Sequence, residues 1–314
     1  METLWNIRNL RHEYRVQSAF GRRETVRALD GVNLDIITGE TLGIVGESGC
    51  GKTTLGKVIL RLVEPTSGTI RFRGADITKL PERDLRPLRR RFQIVFQHPY
   101  RSLNPRIPVS VAVMEGVDPS FSVYQKREEA ARLLSSTGIS PERMDRLPHQ
   151  FSGGERQRIA IARSLATSPE FLVCDEPTSN LDLSIQAQIL NLFVHLKREF
   201  NLTYLFISHD LKVIGFMADR VAVMYLGNIV ELGAASDVIA TPLHPYTRLL
   251  IASSTFAKPP ETGDRPEPHR ETGCPFADHC PNVIDDCLLT KPELHEIAPG
   301  HSVACALHKH DEKR

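Results

Sequence analysis

The clearest chemical signal in the chain is Gly46-Glu47-Ser48-Gly49-Cys50-Gly51-Lys52-Thr53, which fits G-x-x-x-x-G-K-[ST], the spacing of a phosphate-binding loop. Glycines there let backbone N–H groups turn inward and approach phosphate oxygens closely. The N-terminus of a following helix adds partial positive charge. Lys52 would reach the β- and γ-phosphates of a nucleoside triphosphate. The Thr53 hydroxyl would bind Mg²⁺, and Thr54 continues the loop into its helix. This chemistry needs a strand before the loop and a helix after it. Thr41-Leu42-Gly43-Ile44-Val45 is a short apolar run that reads as a buried strand, and Thr54 to Leu60 places apolar residues at helical spacing.

A second set of polar groups lies further along. Phe171-Leu172-Val173-Cys174-Asp175-Glu176 is an apolar strand ending in two carboxylates. A parallel sheet delivers such groups to its ligand-binding edge. Asp175 would hold Mg²⁺, directly or through water, and Glu176 would polarise an attacking water as general base. Thr203 to Ile207 is another buried strand, ending in Ser208-His209-Asp210, which favours a γ-phosphate contact for His209. The strand-like Phe92 to Phe96 ends at Gln97, and the prolines of His98 to Pro105 then break regular structure. Ser152-Gly153-Gly154 opens an apolar helix, with Glu155 completing a capping box. Its exposed N–H groups suit an anion, and a capped structural helix fits equally. Tyr14 and Phe20 lie in a basic, polar stretch. Either ring could stack on an adenine or be an ordinary surface aromatic.

These groups need a sizeable scaffold. The chain has 314 residues, 41% hydrophobic, with 39 Lys and Arg against 38 Asp and Glu. A net charge of +1 gives no support for a nucleic-acid binder. Met1 to Trp5 lacks signal-peptide regions, and no run of 18 apolar residues exists, so a cytoplasmic protein is expected. Leu29 to Ile36 alternates apolar and polar residues as a half-buried strand, and Gly68 to Gly74 reads as another. The arginine-rich residues 82–91 read as a solvated helical face. Residues 106–150 read as mostly helical, notably Gln125 to Thr137, and look inserted between nucleotide-related strands. An amphipathic helix follows Ser179-Asn180-Leu181-Asp182. Leu226-Gly227 signals a hairpin. Residues 236–255 read as helical turns broken by Pro242 and Pro245, and residues 258–273 as a linker.

Together the motifs resemble the ATP-binding subunits of ABC transporters. The phosphate loop, Gln97, Ser152-Gly153-Gly154, Asp175-Glu176, Ser179 to Asp182 and His209 stand in that family's order over residues 4–255. The resemblance implies an α/β, P-loop NTPase-type core with an antiparallel β subdomain and an inserted helical subdomain, plus a small cysteine-rich C-terminal extension. The expected divisions are 1–97 (β subdomain and first part of the core), 98–150 (helical subdomain), 151–235 (signature helix and rest of the core), 236–273 (C-terminal helices and linker) and 274–314 (extension). It implies that Gly46 to Thr54 bind ATP with Mg²⁺, and that Tyr14 matches the adenine-stacking aromatic better than Phe20. Gln97 would coordinate Mg²⁺ or position water, working with Glu176 and His209 in hydrolysis, and would report to the membrane subunits. Ser152 to Gly154 would complete the site on a second ATP-binding subunit, and Asp182 would communicate across that dimer. An ATP-sandwich dimer that closes, hydrolyses and reopens would rock the membrane subunits.

The resemblance narrows further. Gln97 to Arg106 looks like the segment after the family glutamine in dipeptide and oligopeptide importers, and His244-Pro245-Tyr246-Thr247 is similar to the marker of that subfamily's C-terminal extension. Phe151 and Glu155 replace the commoner Leu and Gln, and Asn180 a common Ala. The implied partners are a second ATP-binding subunit, favoured as a paralogue, two transmembrane permease subunits and an extracytoplasmic solute-binding protein. The implied place is peripheral, on the cytoplasmic face of the inner membrane, with no nucleic acid. A rival class uses the same ATPase core in nucleic-acid repair or translation, usually with two cores or a long coiled coil, both absent here.

Cys274, Cys280, Cys287 and Cys305 follow C-x5-C-x6-C-x17-C in a tail with few apolar residues, so a cross-link is expected to stabilise it. Disulfides suit an oxidising compartment, zinc commonly takes tight C-x2-C pairs, and an iron–sulfur cluster accepts looser spacing. His279 and His301 are alternative ligands. The family resemblance leans toward a structural [4Fe–4S] cluster.

Overall fold

The computed structural model describes residues 2–17, 23–97, 102–255 and 272–308. Phe20 and nearly all of the expected linker lie outside them. In chain order the strands are β1 (Thr3–Gln17), β2 (Arg23–Ile37), β3 (Thr41–Val45), β4 (Ser67–Phe72), β5 (Ala75–Asp76), β6 (Phe92–Val95), β7 (Phe171–Asp175), β8 (Thr203–Ile207), β9 (Arg220–Tyr225), β10 (Asn228–Ala234), β11 (His295–Ala298) and β12 (His301–Val303). The chain divides into two compact units. One comprises Met1–Ile37, Thr41–Lys79 and Ser208–Arg314, the other Thr38–Glu40 and Leu80–Ile207.

In the first unit, β2-β1-β4-β5 form an antiparallel sheet. Ile7 lies opposite Leu34 on one side and Ile70 on the other. Trp5, Ile7, Leu34, Ile36, Ile70 and Phe72 are buried, and Leu34 and Ile36 belong to the apolar half of the alternation across Leu29 to Ile36. The same unit holds the row β11-β12-β10-β9-β3, in which β3 runs parallel to β9. Every residue of β3 is buried, which explains its unbroken apolar run. The β9–β10 hairpin turns at Leu226 (φ 42°) and Gly227 (φ 77°). Two consecutive left-handed residues match the twist of the flanking strands.

The tail differs from expectation. Its few apolar residues predict little core of its own. Instead β12 adds to the edge of β10, with Glu231 opposite Val303, and Phe276, Val303 and three of the four cysteines are buried. The tail thus shares the core of its unit. Glu231, fully buried, explains part of the attachment. Its carboxylate accepts from Leu243 N at 2.8 Å and His244 N at 2.9 Å, and lies 2.8 Å from His301 Nε2. His301 is therefore bonded to Glu231 through its Nε2. His244 accepts from Tyr246 N through Nδ1. Burial, then the nearby His308, lowers its pKa to about 4, so it packs as a neutral ring. Pro245 does not break a helix. It begins Pro245–Thr255, where its missing N–H costs nothing.

In the second unit, β6-β7-β8 run parallel, with Val95 beside Cys174 and Asp175 beside Ile207. All of β7 and β8 is buried. The helix expected from Gln125 begins at Val123, because Ser122 and Gln125 form a capping box. Pro141 and Pro148 each open a short 3₁₀ turn.

Glu231→Ala would leave two backbone N–H groups and one imidazole without their acceptor. We expect a loss of about 3 kcal/mol or more, measured by denaturant unfolding of the full chain. Unchanged stability would show that the network does not hold the tail.

Candidate nucleotide site

The phosphate loop joins β3 to the helix Lys52–Ile59 in the first unit. Its shape is imposed by neighbouring backbone. A Cβ at Gly46 would lie 2.2 Å from Met224 O, and one at Gly51 (φ 107°) 2.3 Å from Ala28 O. Gly49 (φ 83°) meets nothing and stands at an exposed tip with Glu47 and Ser48. Lys52 is buried, and its Nζ donates to Gly46 O and Glu47 O, both at 2.7 Å. Burial pushes the pKa of the adjacent Cys50 thiol up. From outside, Gly227 N donates to Cys50 O at 2.9 Å, and Glu47 N donates to Tyr246 Oη at 3.0 Å. Thr53 is exposed and Thr54 half-buried.

Tyr14 is 38% exposed, with its Oη 3.5 Å from Thr54 Oγ1 and its ring edge-on to His12 at 4.4 Å. The ring is thus exposed beside the loop's helix. His209 is exposed, between Ser208, whose N–H donates to Ile44 O at 3.1 Å, and Asp210, which caps the helix Leu211–Met217.

The second unit gathers a different group. Asp175, 5% exposed, ends β7. Glu176 follows with φ 45°, a left-handed conformation that costs a non-glycine residue of order 1 kcal/mol. Its N–H donates to Ile207 O at 3.0 Å. Gln97 Nε2 donates to Glu176 Oε2 and to Ser179 Oγ, both at 3.1 Å. Asn180 Nδ2 donates to Gln97 O at 3.4 Å. The fold therefore brings Gln97 and Glu176 together, and gives Asn180 a contact that its sequence position did not suggest.

The glycine pair divides its duties. Ser152 caps the helix Gly153–Leu165, accepting from Glu155 N at 3.2 Å, while Ser152 N donates to Glu155 Oε2 at 2.8 Å. Glu155 is also bonded by Arg143, which holds its pKa below the usual carboxylate range. Arg143 in turn lies 4.6 Å above the Phe151 ring, which gives both unusual residues of the motif a use. A Cβ at Gly154 would meet Ile185 Cγ2 at 2.6 Å, so packing demands that glycine. Gly153 is exposed. Asp182 accepts from Ile185 N at 2.9 Å as the N-cap of the helix Leu183–Glu199. Sequence reading gave it a nucleotide role and missed the cap.

No cysteine among the described residues forms a disulfide. The pKa of Cys274 is raised to about 11, first by burial and then by Cys287, Cys305 and Cys280 nearby. Among the described residues no three His, Cys, Asp or Glu stand gathered as a metal site.

Two family models match. ABC transporter covers residues 29–179, and the oligopeptide/dipeptide transporter C-terminal region covers residues 230–287. The oligopeptide transport ATP-binding protein AppF of Bacillus subtilis is 43% identical over 322 aligned residues, 98% of this chain and 98% of the relative. The chain belongs to the ATP-binding subunits of ABC transporters. It falls in their oligopeptide/dipeptide branch and is an ATPase. The di/tripeptide transport ATP-binding protein DppF of Pseudomonas aeruginosa is 42% identical, covering 97% of this subunit and 98% of the relative. The structure of cbiO1 from Clostridium perfringens, part of the ABC transporter complex cbiONQ, matches with a TM-score of 0.67 and 29% identity, over 77% of this subunit and 92% of that chain. The mixed sheets and helices of this ABC subunit are those of a P-loop ATPase, and the repair or translation reading is not favoured.

Tyr14→Ala should weaken ATP binding by about 1–2 kcal/mol, the scale of a lost aromatic contact, without unfolding the chain. Equilibrium titration with a fluorescent ATP analogue measures it. Unchanged affinity in Tyr14→Ala with a loss in Phe20→Ala would move the role to Phe20.

Proposed function

We propose that this subunit powers import of peptides or similar small solutes, working with a paralogous ATP-binding subunit, two permease subunits and, through them, an extracytoplasmic solute-binding protein. The peptide-transport names of relatives matching nearly the whole chain support that cargo. Among the described residues no helix is long and apolar enough to cross a membrane, which suits a peripheral subunit on the cytoplasmic face. A cavity of about 360 Å³ lined by Ser102, Leu103, Asn104, Glu115 and Arg163 follows Gln97 in the second unit. We assign it to the permease; all of its lining except Arg163 belongs to the proposed helical subdomain 98–150. The other proposed divisions are 1–97, 151–235, 236–273 and 274–314.

In this reading Gly46 to Thr54 bind the triphosphate and Tyr14 stacks on its adenine. Thr53, Gln97 and Asp175 are the proposed Mg²⁺ ligands, each carrying the hard oxygen donor that this ion takes. When bound, Mg²⁺ would neutralise charge on the phosphates. Glu176 accepts the proton of the attacking water, while Gln97, itself bonded to Ser179, holds its carboxylate and His209 contacts the γ-phosphate. Ser152 to Gly154 and Asp182 act at the partner's ATP. The observation that carries this reading is the Gln97–Glu176–Ser179 network at the end of β7.

Cys274, Cys280, Cys287 and Cys305 would supply the four thiolates that a [4Fe–4S] cluster takes, and the looseness of their C-x5-C-x6-C-x17-C spacing, together with the tail's resemblance to that of the peptide-importer subfamily, supports one. The cluster would cross-link the tail.

Glu176→Gln removes the base and keeps the size of the side chain. In the assembled transporter ATP should still bind, while hydrolysis falls by roughly 10²-fold or more. Near wild-type turnover would refute the assignment. Anaerobic purification should yield a brown protein with about four irons per chain. A colourless protein with one zinc, or no metal, would overturn the cluster.

A further inference from the structure

The phosphate loop is held from outside by a residue outside the motifs that mark the nucleotide site. The Gly46–Glu47 peptide is bonded on both edges. Its carbonyl, Gly46 O, accepts from Lys52 Nζ at 2.7 Å, and its N–H, on Glu47, donates to Tyr246 Oη at 3.0 Å. Gly46 has no side chain to resist rotation of this peptide, so the two hydrogen bonds set its orientation. Tyr246 is fully buried. Its ring leans on Tyr225 at 4.6 Å and on Phe276 at 5.5 Å, and Phe276 meets Tyr225 edge-on at 5.3 Å. Phe276 belongs to the cysteine-bearing segment and is itself buried. An unbroken line of contacts therefore runs from the C-terminal segment to the peptide whose carbonyl holds Lys52, all within one compact unit.

We propose that Tyr246 is a positioning residue of the phosphate loop, and that the C-terminal segment sets ATP affinity through Phe276, Tyr246 and the Glu47 N–H. The inference rests on the reading of Gly46 to Thr54 as the ATP site. Without the hydroxyl, the Glu47 N–H loses its acceptor and the peptide turns to find another. Gly46 O moves with it, and with that the seat of Lys52. Tyr246 bonds the loop on its outer side, so the effect falls on binding and leaves the chemical step alone. Phe276 acts one contact further out. Shrinking it lets the Tyr246 ring shift, and that matters only while the hydroxyl is there to be displaced.

The test uses the full-length chain, with equilibrium titration of a fluorescent ATP analogue, ATPase KM and kcat, and amide hydrogen exchange. Tyr246→Phe should raise the dissociation constant and KM together by roughly threefold to tenfold, the fold-change of one hydrogen bond, with kcat unchanged. Exchange should quicken in the peptide containing Glu47 and stay unchanged in β1 and β4. Phe276→Leu should weaken binding in the same direction in the wild type and add nothing in the Tyr246→Phe background. Wild-type affinity and exchange in Tyr246→Phe would overturn the proposal, as would fully additive effects of the two substitutions. Lys52→Ala separates the two levels. Binding lost in Lys52→Ala but unchanged in Tyr246→Phe defeats this inference alone, whereas binding retained in Lys52→Ala defeats the assignment of the loop itself.

Discussion

Close backbone approach at two glycines is the constraint on which the nucleotide site depends. Gly46 presses on the Met224 carbonyl of β9, and Gly51 on the Ala28 carbonyl of β2. No side chain fits at either place. The loop is therefore shaped by the strands around it before any phosphate arrives, which is how a binding site avoids ordering costs on binding. Hydrogen bonds from Gly227 to Cys50 O and from Glu47 to Tyr246 then fix its two ends. Because β9 supplies both the contact at Gly46 and the hairpin that reaches Cys50, the loop inherits the rigidity of a fully packed strand.

Glu176 shows a different use of the backbone. A left-handed non-glycine residue is held in place by its N–H bond to Ile207 O, and its carboxylate is oriented by an amide that also serves Ser179. A general base must meet a water in one geometry, and a carboxylate with fixed donors wanders less than a free one. Asn180 extends the same network to the backbone of Gln97. Ser152 and Asp182 are held as helix caps, which fixes the start of each helix while leaving the cap residues exposed.

The C-terminal segment is joined by polar bonds as much as by apolar packing. Burying the Glu231 carboxylate would be costly alone, and it is offset by two backbone donors and the His301 ring. Those partners come from β12 and from the residues just before Pro245. One carboxylate therefore ties the tail to the stretch that carries Tyr246. Lys291, bonded to the Asp30 carboxylate at 2.6 Å, attaches the tail a second time, to β2.

Much of this was legible in the chain because it is local. The phosphate loop, the strand ends at Asp175 and Ile207, the hairpin at Leu226-Gly227 and the cap at Ser152 depend on residues a few positions apart, where glycine, capping and alternation rules act. By itself the sequence determined the ATPase core, its family and the residues that form the loop. Tertiary structure alone decided that Gly154 is demanded by Ile185, that β12 completes an edge beside β10, and that the Tyr246 hydroxyl meets Glu47 across 199 positions. No spacing rule reaches that far. Such contacts exist only where packed strands bring distant backbone within hydrogen-bonding distance, and their partners are chosen by the shape of the core.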